Sequence, residues 1–516
     1  MSWKQNPGKL VNLVLLIILV VFVTTTKTSL FTADLGRHLT NGELLISKHE
    51  LLRTNLYSYT HSNFPVITHH WLGSLFLYVV WNFGNFNILS LFYILVTTST
   101  FVFIYLTSVK NSNHVWATVA TLLTLPLIAY RTEIRPEMFS YFFTSVFIYI
   151  LNKYRGKPIS KQIFITLGLI QLLWINTHIL FFVGPGLVGI YALDAFYQHK
   201  KLTNNAKQLL LLLLTVLAAS FITPFGLKGT FIPVNIFNNF GYRLLENQSV
   251  WFIEKLIHNP LFSYYKIAFG VLVLSFLLNI GGKDRNWLRL DHLLIAIVIS
   301  VAGWLAIRNF ALFGYITIPI FSYNLHYLSG SYLKSLPKKT INIVVLIVGF
   351  VLLLGINNKL LFIFPKTPLF GLGIHAQTND AANFFKDNNL KGPIFNNYDI
   401  GGYLIYHLFP QEKVFVDNRP EAYPAEFFQD VYIPMQENND IWEKYSKIYD
   451  FNSIFFYLRD ATPWGQNFLI QRVKDPNWVP VYADQHSIIF LKDNETNLEV
   501  IKKYRLPDSY FSITSR

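Results

Sequence analysis

Apolar runs of bilayer-spanning length alternate with short polar breaks over the first two thirds of the chain. A span needs roughly 20 apolar residues. The pattern predicts eleven, at about 10–30, 86–109, 115–130, 138–152, 162–177, 179–196, 207–223, 262–281, 292–308, 310–328 and 340–362. The run Trp71–Phe83 is apolar but short and stops at Gly84-Asn85, so it either lies along the surface or begins the second span. One break is out of proportion. Thr32–Trp71 is a polar stretch of about forty residues, where most connections take about four to six. From about Pro365 the pattern changes. Helical periodicity at 378–388, 402–408, 425–435, 442–449 and 464–473 is interleaved with strand-like runs at 393–396, 413–416, 453–458, 478–482 and 487–491. That alternation argues for an α/β domain of about 150 residues.

Charge then orients the spans. Lys4, Lys9, Lys110, Lys153, Arg155, Lys157, Lys161, Lys200, Lys201, Lys207, Lys283, Arg285, Arg289, Lys334, Lys338 and Lys339 fall in every second connection. The positive-inside rule makes those connections cytoplasmic. An odd number of spans puts the N-terminus inside and the C-terminal domain outside. The expected architecture is thus an α-helical polytopic membrane protein with a C-terminal extracytoplasmic α/β domain. Residues 1–364 would form the transmembrane domain, with a first outer loop at 31–70, and residues 365–516 the soluble domain.

Composition agrees: 52% of residues are hydrophobic and only 14% charged, against roughly 25% charged in soluble domains. The formal charge of +14 comes largely from the short inner loops and does not indicate nucleic-acid binding. There is no cysteine, which excludes disulfides, thiolate metal sites and thiol nucleophiles. The first apolar run resembles a signal peptide. It leads, however, into Phe31-Thr32-Ala33, with a bulky residue where cleavage wants a small one, so it is expected to stay as a first transmembrane helix.

The chemically versatile residues collect in the outer connections. Asp34 lies just past the first span, either as a helix-end residue or as a general base or metal ligand at the membrane surface. Arg37 and His38 follow one helical turn on and could share its face. Arg131, Glu133, Arg135 and Glu137 straddle a span boundary, and Arg308 ends another span. They form either an interfacial ion-pair cluster or a clamp for a lipid-linked phosphate, whose oxygens guanidinium forks match. His38, His69, His70 and His178 fit no standard metal-ligand spacing. Asn176 and His178 sit between two apolar spans, buried or lining a cavity. Glu246 and Glu254 are weaker outer-loop candidates. In the soluble domain, Asp399 and Gly401-Gly402, and then Asp417 and Arg419, follow predicted strands, where α/β folds place ligand contacts. No dinucleotide-binding glycine pattern is present.

Taken in order, these stretches resemble a bacterial family of multispanning proteins related to the GT-C glycosyltransferases. Its members read roughly Asp-x-Asp-Leu-Trp-Trp-His-Leu at the first outer loop. The matching stretches here are Thr32–Gly42, Asn55–Thr60, Pro65–Leu72, Arg135-Pro136-Glu137, Asn176-Thr177-His178, Thr223-Pro224-Phe225-Gly226, Asn396–Ile405 and Lys413–Pro420. The resemblance implies inverting hexosyl or pentosyl transfer from a polyprenyl-phosphate-linked sugar to a glycan, lipid or protein acceptor on the outer face of a bacterial cytoplasmic membrane. It implies Asp34 as base, Arg135 with Arg131 or Arg308 on the carrier phosphate, and His69, His70 and Glu137 shaping the pocket. Three positions depart from the family: Thr32 replaces the first acid, His70 replaces a glutamate and Thr223 replaces an asparagine. A divalent metal held by the paired acids would lack one of them, so no cofactor is assigned. The rival expectation is a non-catalytic scaffold or glycan-binding protein of the cell envelope. A transporter fits less well, because the ionisable groups sit at span ends rather than mid-span.

Overall fold

A computed structural model describes residues 7–31, 34–235, 239–280, 288–332 and 370–511. The predicted span at 340–362 and position Thr32 lie outside the described residues. The longer helices described through Tyr332 are α1 (Pro7–Thr24), α2 (Leu35–Lys48), α3 (Trp71–Asn111), α4 (His114–Ile128), α5 (Glu137–Lys153), α6 (Lys161–Thr177), α7 (Val183–His199), α8 (Asn204–Ala219), α9 (Pro260–Ile280), α10 (Leu290–Leu305) and α11 (Phe310–Tyr332). Trp71–Asn111, Ile179–His199 and Pro260–Ile280 are long and apolar enough to cross a membrane. Lys9–Thr24, His114–Ile128, Asn204–Ala219 and Leu290–Leu305 are apolar but shorter. The short run Trp71–Phe83 proves to be the start of α3, which breaks at Gly84-Asn85, where Asn85 takes φ +57°.

The chain divides into two compact units. One takes the N-terminal residues to Lys27, Asn87–Pro233 and Leu244–Leu372. The other takes Thr28–Phe86, Val234–Arg243 and the residues from Gly373 onward. The expected division is at 364/365. The first outer stretch, however, clusters with the C-terminal residues rather than with the helices.

In the first unit, buried polar side chains join helices whose surfaces are otherwise apolar. Asn12 Nδ2 on α1 donates to Thr118 Oγ1 on α4 (2.7 Å), and Asn324 Nδ2 on α11 donates to Ser275 Oγ on α9 (2.9 Å). In hydrocarbon such groups need partners from a neighbouring helix. Near the C-terminal end of α5, Arg155 binds Asp194 (2.8 Å) and Arg289 binds Asp291 (2.5 Å).

The second unit contains helices α12 (Asp380–Asp387), α13 (Gly401–Leu408), α14 (Asn439–Tyr449), α15 (Gly465–Val473) and α16 (Leu498–Tyr504) around one sheet. Its strands β1 (Ile394–Asn396), β2 (Ser453–Tyr457), β3 (Trp478–Ala483) and β4 (Ser487–Lys492) run in the order β1-β2-β4-β3. The β1–β2 pair is parallel and the others are antiparallel. Strand β2 is buried along its whole length, and Phe395, Trp442, Phe451 and Phe468 pack beside it as an aromatic core. The strand expected at 413–416 is not formed. Asn396 takes the polar groups a ladder would use: its Oδ1 accepts from Phe415 N (2.9 Å) and its Nδ2 donates to Val416 O (2.8 Å). Val414 instead bridges to Ser58 in the first outer stretch.

That stretch is built into the unit. Phe31 stacks on Tyr403 at 4.5 Å and on His486 at 4.8 Å. Tyr59 OH donates to Ile394 O (2.9 Å), and Asn55 Nδ2 donates to Ala422 O (3.0 Å). Helix α2 packs on α13 through glycine: a Cβ on Gly36 would lie 2.7 Å from Gly402 O. Alanine normally stabilises a helix relative to glycine by about 1 kcal/mol. Here Gly36→Ala is expected to destabilise the fold by roughly 1–3 kcal/mol, the cost of overpacking. Thermal unfolding of the full chain reads the sign directly.

Candidate functional site

The sequence candidates form separate groupings in the two units. In the second unit, Asp34 directly precedes α2, and helical spacing turns Arg37 and His38 toward it. Arg37 Nη2 lies 3.3 Å from Asp34 Oδ2, and His38 Nε2 lies 3.9 Å from the same oxygen. Arg37 Nε also donates to Asn418 Oδ1 (3.1 Å), which fixes the guanidinium on its far side. His38 Nδ1 shares a hydrogen bond with Ser74 Oγ (2.7 Å) at the start of α3. His70 meets the His38 ring edge-on at 5.6 Å, and the His69 and His70 rings are 3.8 Å apart. Five of the predicted residues therefore gather in one place. Arg37 and His38 are buried, while the Asp34 side chain is about a quarter exposed. The arrangement orients one partly exposed carboxylate between a fixed guanidinium and an imidazole.

Asp417 and Arg419 are used differently. Arg419 binds Asp417 with both ends of its fork, Nε to Oδ1 at 2.8 Å and Nη2 to Oδ2 at 2.6 Å. The same Nη2 donates to Asn55 Oδ1 (2.8 Å), and the guanidinium lies over the Tyr57 ring at 5.4 Å. Burial disfavours the Arg419 charge, but the Asp417 carboxylate outweighs it and holds the group above its ordinary range. Both residues are buried. Expected from the sequence to touch ligand, they form an internal pair that fastens the first outer stretch.

In the first unit, the connection between α4 and α5 brings Arg131 and Arg135 together with the start of α5. Arg131 Nη2 binds Glu137 Oε2 (2.8 Å), and Arg135 Nη2 binds Glu133 Oε2 (2.6 Å). Arg308, on the turn Ile307–Asn309 between α10 and α11, donates to Asn247 Oδ1 (2.9 Å). The three predicted arginines thus meet, and the residue they share is Glu246, at 2.8 Å from Arg131, 3.6 Å from Arg135 and 3.6 Å from Arg308. Burial raises the Glu246 carboxyl, but Arg131, Arg308 and Arg135 together hold it far below the usual carboxylate range. In the sequence, Glu246 shows only as an acid in a long loop; nothing local marks it as the hub.

Asn176 and His178 close the α6 end of this unit. Asn176 Nδ2 donates to Leu172 O (2.9 Å) and Ile222 O (3.0 Å), joining the ends of α6 and α8. Trp174 Nε1 donates to Ser140 Oγ (2.7 Å), which is hydrogen-bonded to His178 Nδ1 (2.7 Å). Leu180 N donates to the same Nδ1 (3.4 Å), so that nitrogen is an acceptor and the ring proton belongs on Nε2. Among the described residues, no three His, Asp or Glu side chains gather so as to hold a metal ion.

No protein-family profile matches the sequence, and no curated protein does. Solved structures do. The chain is similar to the oligosaccharyltransferase of Archaeoglobus fulgidus in its apo form, at 11% identity and a TM-score of 0.60, over 96% of this chain and 76% of that one. A second structure of that enzyme, tethered to an acceptor peptide containing the NVT sequon, matches at 11% identity and a TM-score of 0.57, over 96% and 75% of the two chains. A third, the Archaeoglobus fulgidus oligosaccharyltransferase AglB in complex with an inhibitory peptide and a dolichol-phosphate, matches at 11% identity and a TM-score of 0.55, over the same shares. At this identity the likeness is one of fold.

Proposed function

We propose that this chain, related in fold to the GT-C glycosyltransferases, is a membrane glycosyltransferase that moves a sugar from a polyprenyl-phosphate carrier to an acceptor outside the cytoplasm. The observation that carries the reading is the meeting of Arg131, Arg135 and Arg308, from two separate connections, around one anionic position. Three guanidiniums at a helix-end boundary suit a lipid-linked phosphate, whose charge stays at headgroup depth while its tail remains in the bilayer.

In the proposed reaction, an acceptor hydroxyl attacks the anomeric carbon and the bond from that carbon to the phosphate oxygen breaks. The hydroxyl proton passes to Asp34, and the sugar inverts. The carrier leaves as polyprenyl phosphate, and the arginines stabilise the charge that develops on it. Arg37 and His38 keep Asp34 in place, with His69 and His70 beside them. The C-terminal α/β residues help position the acceptor. Asp417 and Arg419 act through structure, by holding the first outer stretch.

Arg135→Ala is expected to raise the apparent KM for the carrier about tenfold, the loss of one charged hydrogen bond to phosphate. Transfer from native lipid-linked sugar in membranes, measured over a carrier titration, checks this. An unchanged KM would remove Arg135 from the phosphate.

A further inference from the structure

The carboxylates around the three arginines are not equivalent. Glu133 and Glu137 belong to the same short segment as Arg131 and Arg135. Glu246 comes from elsewhere, on the three-residue turn Leu245–Asn247. It is also the one carboxylate, among the described residues, within 4 Å of all three guanidiniums, with Oε2 toward Arg131 and Arg135 and Oε1 toward Arg308. A carboxylate offers two oxygens and one negative charge, and so does the phosphate of a sugar phosphodiester. In the cluster, Glu133, Glu137 and Glu246 pair with the three guanidiniums. Glu246 carries one negative charge, as a monoanionic phosphodiester does, so one can take the place of the other among the arginines.

We propose that Glu246 is an internal stand-in for the carrier phosphate, seated among Arg131, Arg135 and Arg308 until the phosphodiester displaces it. This rests on the lipid-phosphate reading above and adds a regulated entry to it. The turn is joined to the arginines that it faces. Gln248 O accepts from Ile307 N (3.2 Å), which ties its C-terminal side to the turn that carries Arg308. Asn247 accepts from Arg308 itself, and Leu245 is exposed. Arrival of the donor therefore exchanges one anion for another and releases the 245–247 turn. Anions too weak to displace a bound carboxylate are kept out of the seat. Apparent affinity is reduced by the fraction of molecules in which Glu246 is out.

The test uses the full chain in nanodiscs and farnesyl methyl phosphate, a monoanionic diester, as probe. Glu246→Gln keeps the side-chain shape and removes the charge, and is expected to tighten diester binding by about tenfold. A second measurement keeps Glu246. The chain has no cysteine, so Leu245→Cys supplies a single reporter thiol on the turn, and its labelling by a maleimide should speed up when the diester is added. Diester binding by the wild-type chain, with no tightening in Glu246→Gln and no change in the labelling of Leu245→Cys, would overturn the proposal and leave the phosphate site standing. If Glu246→Gln does not fold, the thiol reporter decides alone. No diester binding by either chain would overturn both this proposal and the lipid-phosphate reading.

Discussion

Asp34→Asn is expected to lower the rate of sugar transfer by about 10²–10⁴-fold, the usual contribution of a positioned general base. The substitution is nearly isosteric. Arg37 stays fixed by Asn418 and His38 by Ser74, so the neighbours of position 34 have no reason to move. The loss should therefore appear in kcat, with the KM for the carrier unchanged, because the phosphate contacts are assigned to other residues. The full chain in membranes, assayed with native lipid-linked sugar, separates the two parameters. A wild-type kcat in a normally expressed Asp34→Asn protein would take the base away from this position.

The second large effect concerns stability. Arg419→Met removes one partner of a buried, bidentate pair and leaves the Asp417 carboxylate buried without its counter-ion. Such a break costs about 3–5 kcal/mol. It also ends the bond to Asn55 that ties the first outer stretch to the C-terminal residues. The midpoint of thermal unfolding should fall by roughly 10 °C. Replacing both partners, as Asp417→Asn with Arg419→Met, should recover part of the loss, because no charge is then left buried alone. If Arg419 instead bound substrate, Arg419→Met would change KM while the unfolding midpoint stayed in place. The two outcomes separate a fastening role from a binding one.

The parts that could be read from the sequence are those governed by local rules. Pro136-Glu137 marks the start of α5 because proline suits a first turn and an acid suits its positive end. The strands at 453–457 and 487–492 stand out as runs of β-branched and aromatic residues. Asp34, Arg37 and His38 could be placed together because helical spacing alone aligns them. What could not be read depends on contacts distant in sequence. Lys413–Val416 has the composition of a strand, yet the side chain of Asn396 takes its backbone groups and Ser58 bridges to Val414. No local pattern shows that a polar stretch between apolar runs will pack on a domain more than three hundred residues away, as Asn55 does on Arg419 and Ala422. Glu246 was hidden for the same reason. Its meaning lies in three arginines far from it in sequence, at 131, 135 and 308.

The proposed cleavage of a polyprenyl-phosphate-linked sugar frees the carrier. Release of the free carrier tests it without knowledge of the acceptor. The full chain is produced in its own membranes, which carry lipid, glycan and protein together, and free polyprenyl phosphate is quantified by mass spectrometry. Release is expected to grow with time with the wild-type chain and to fall to background with Asp34→Asn. No release by folded wild-type protein, or equal release by the two chains, would contradict the proposed cleavage.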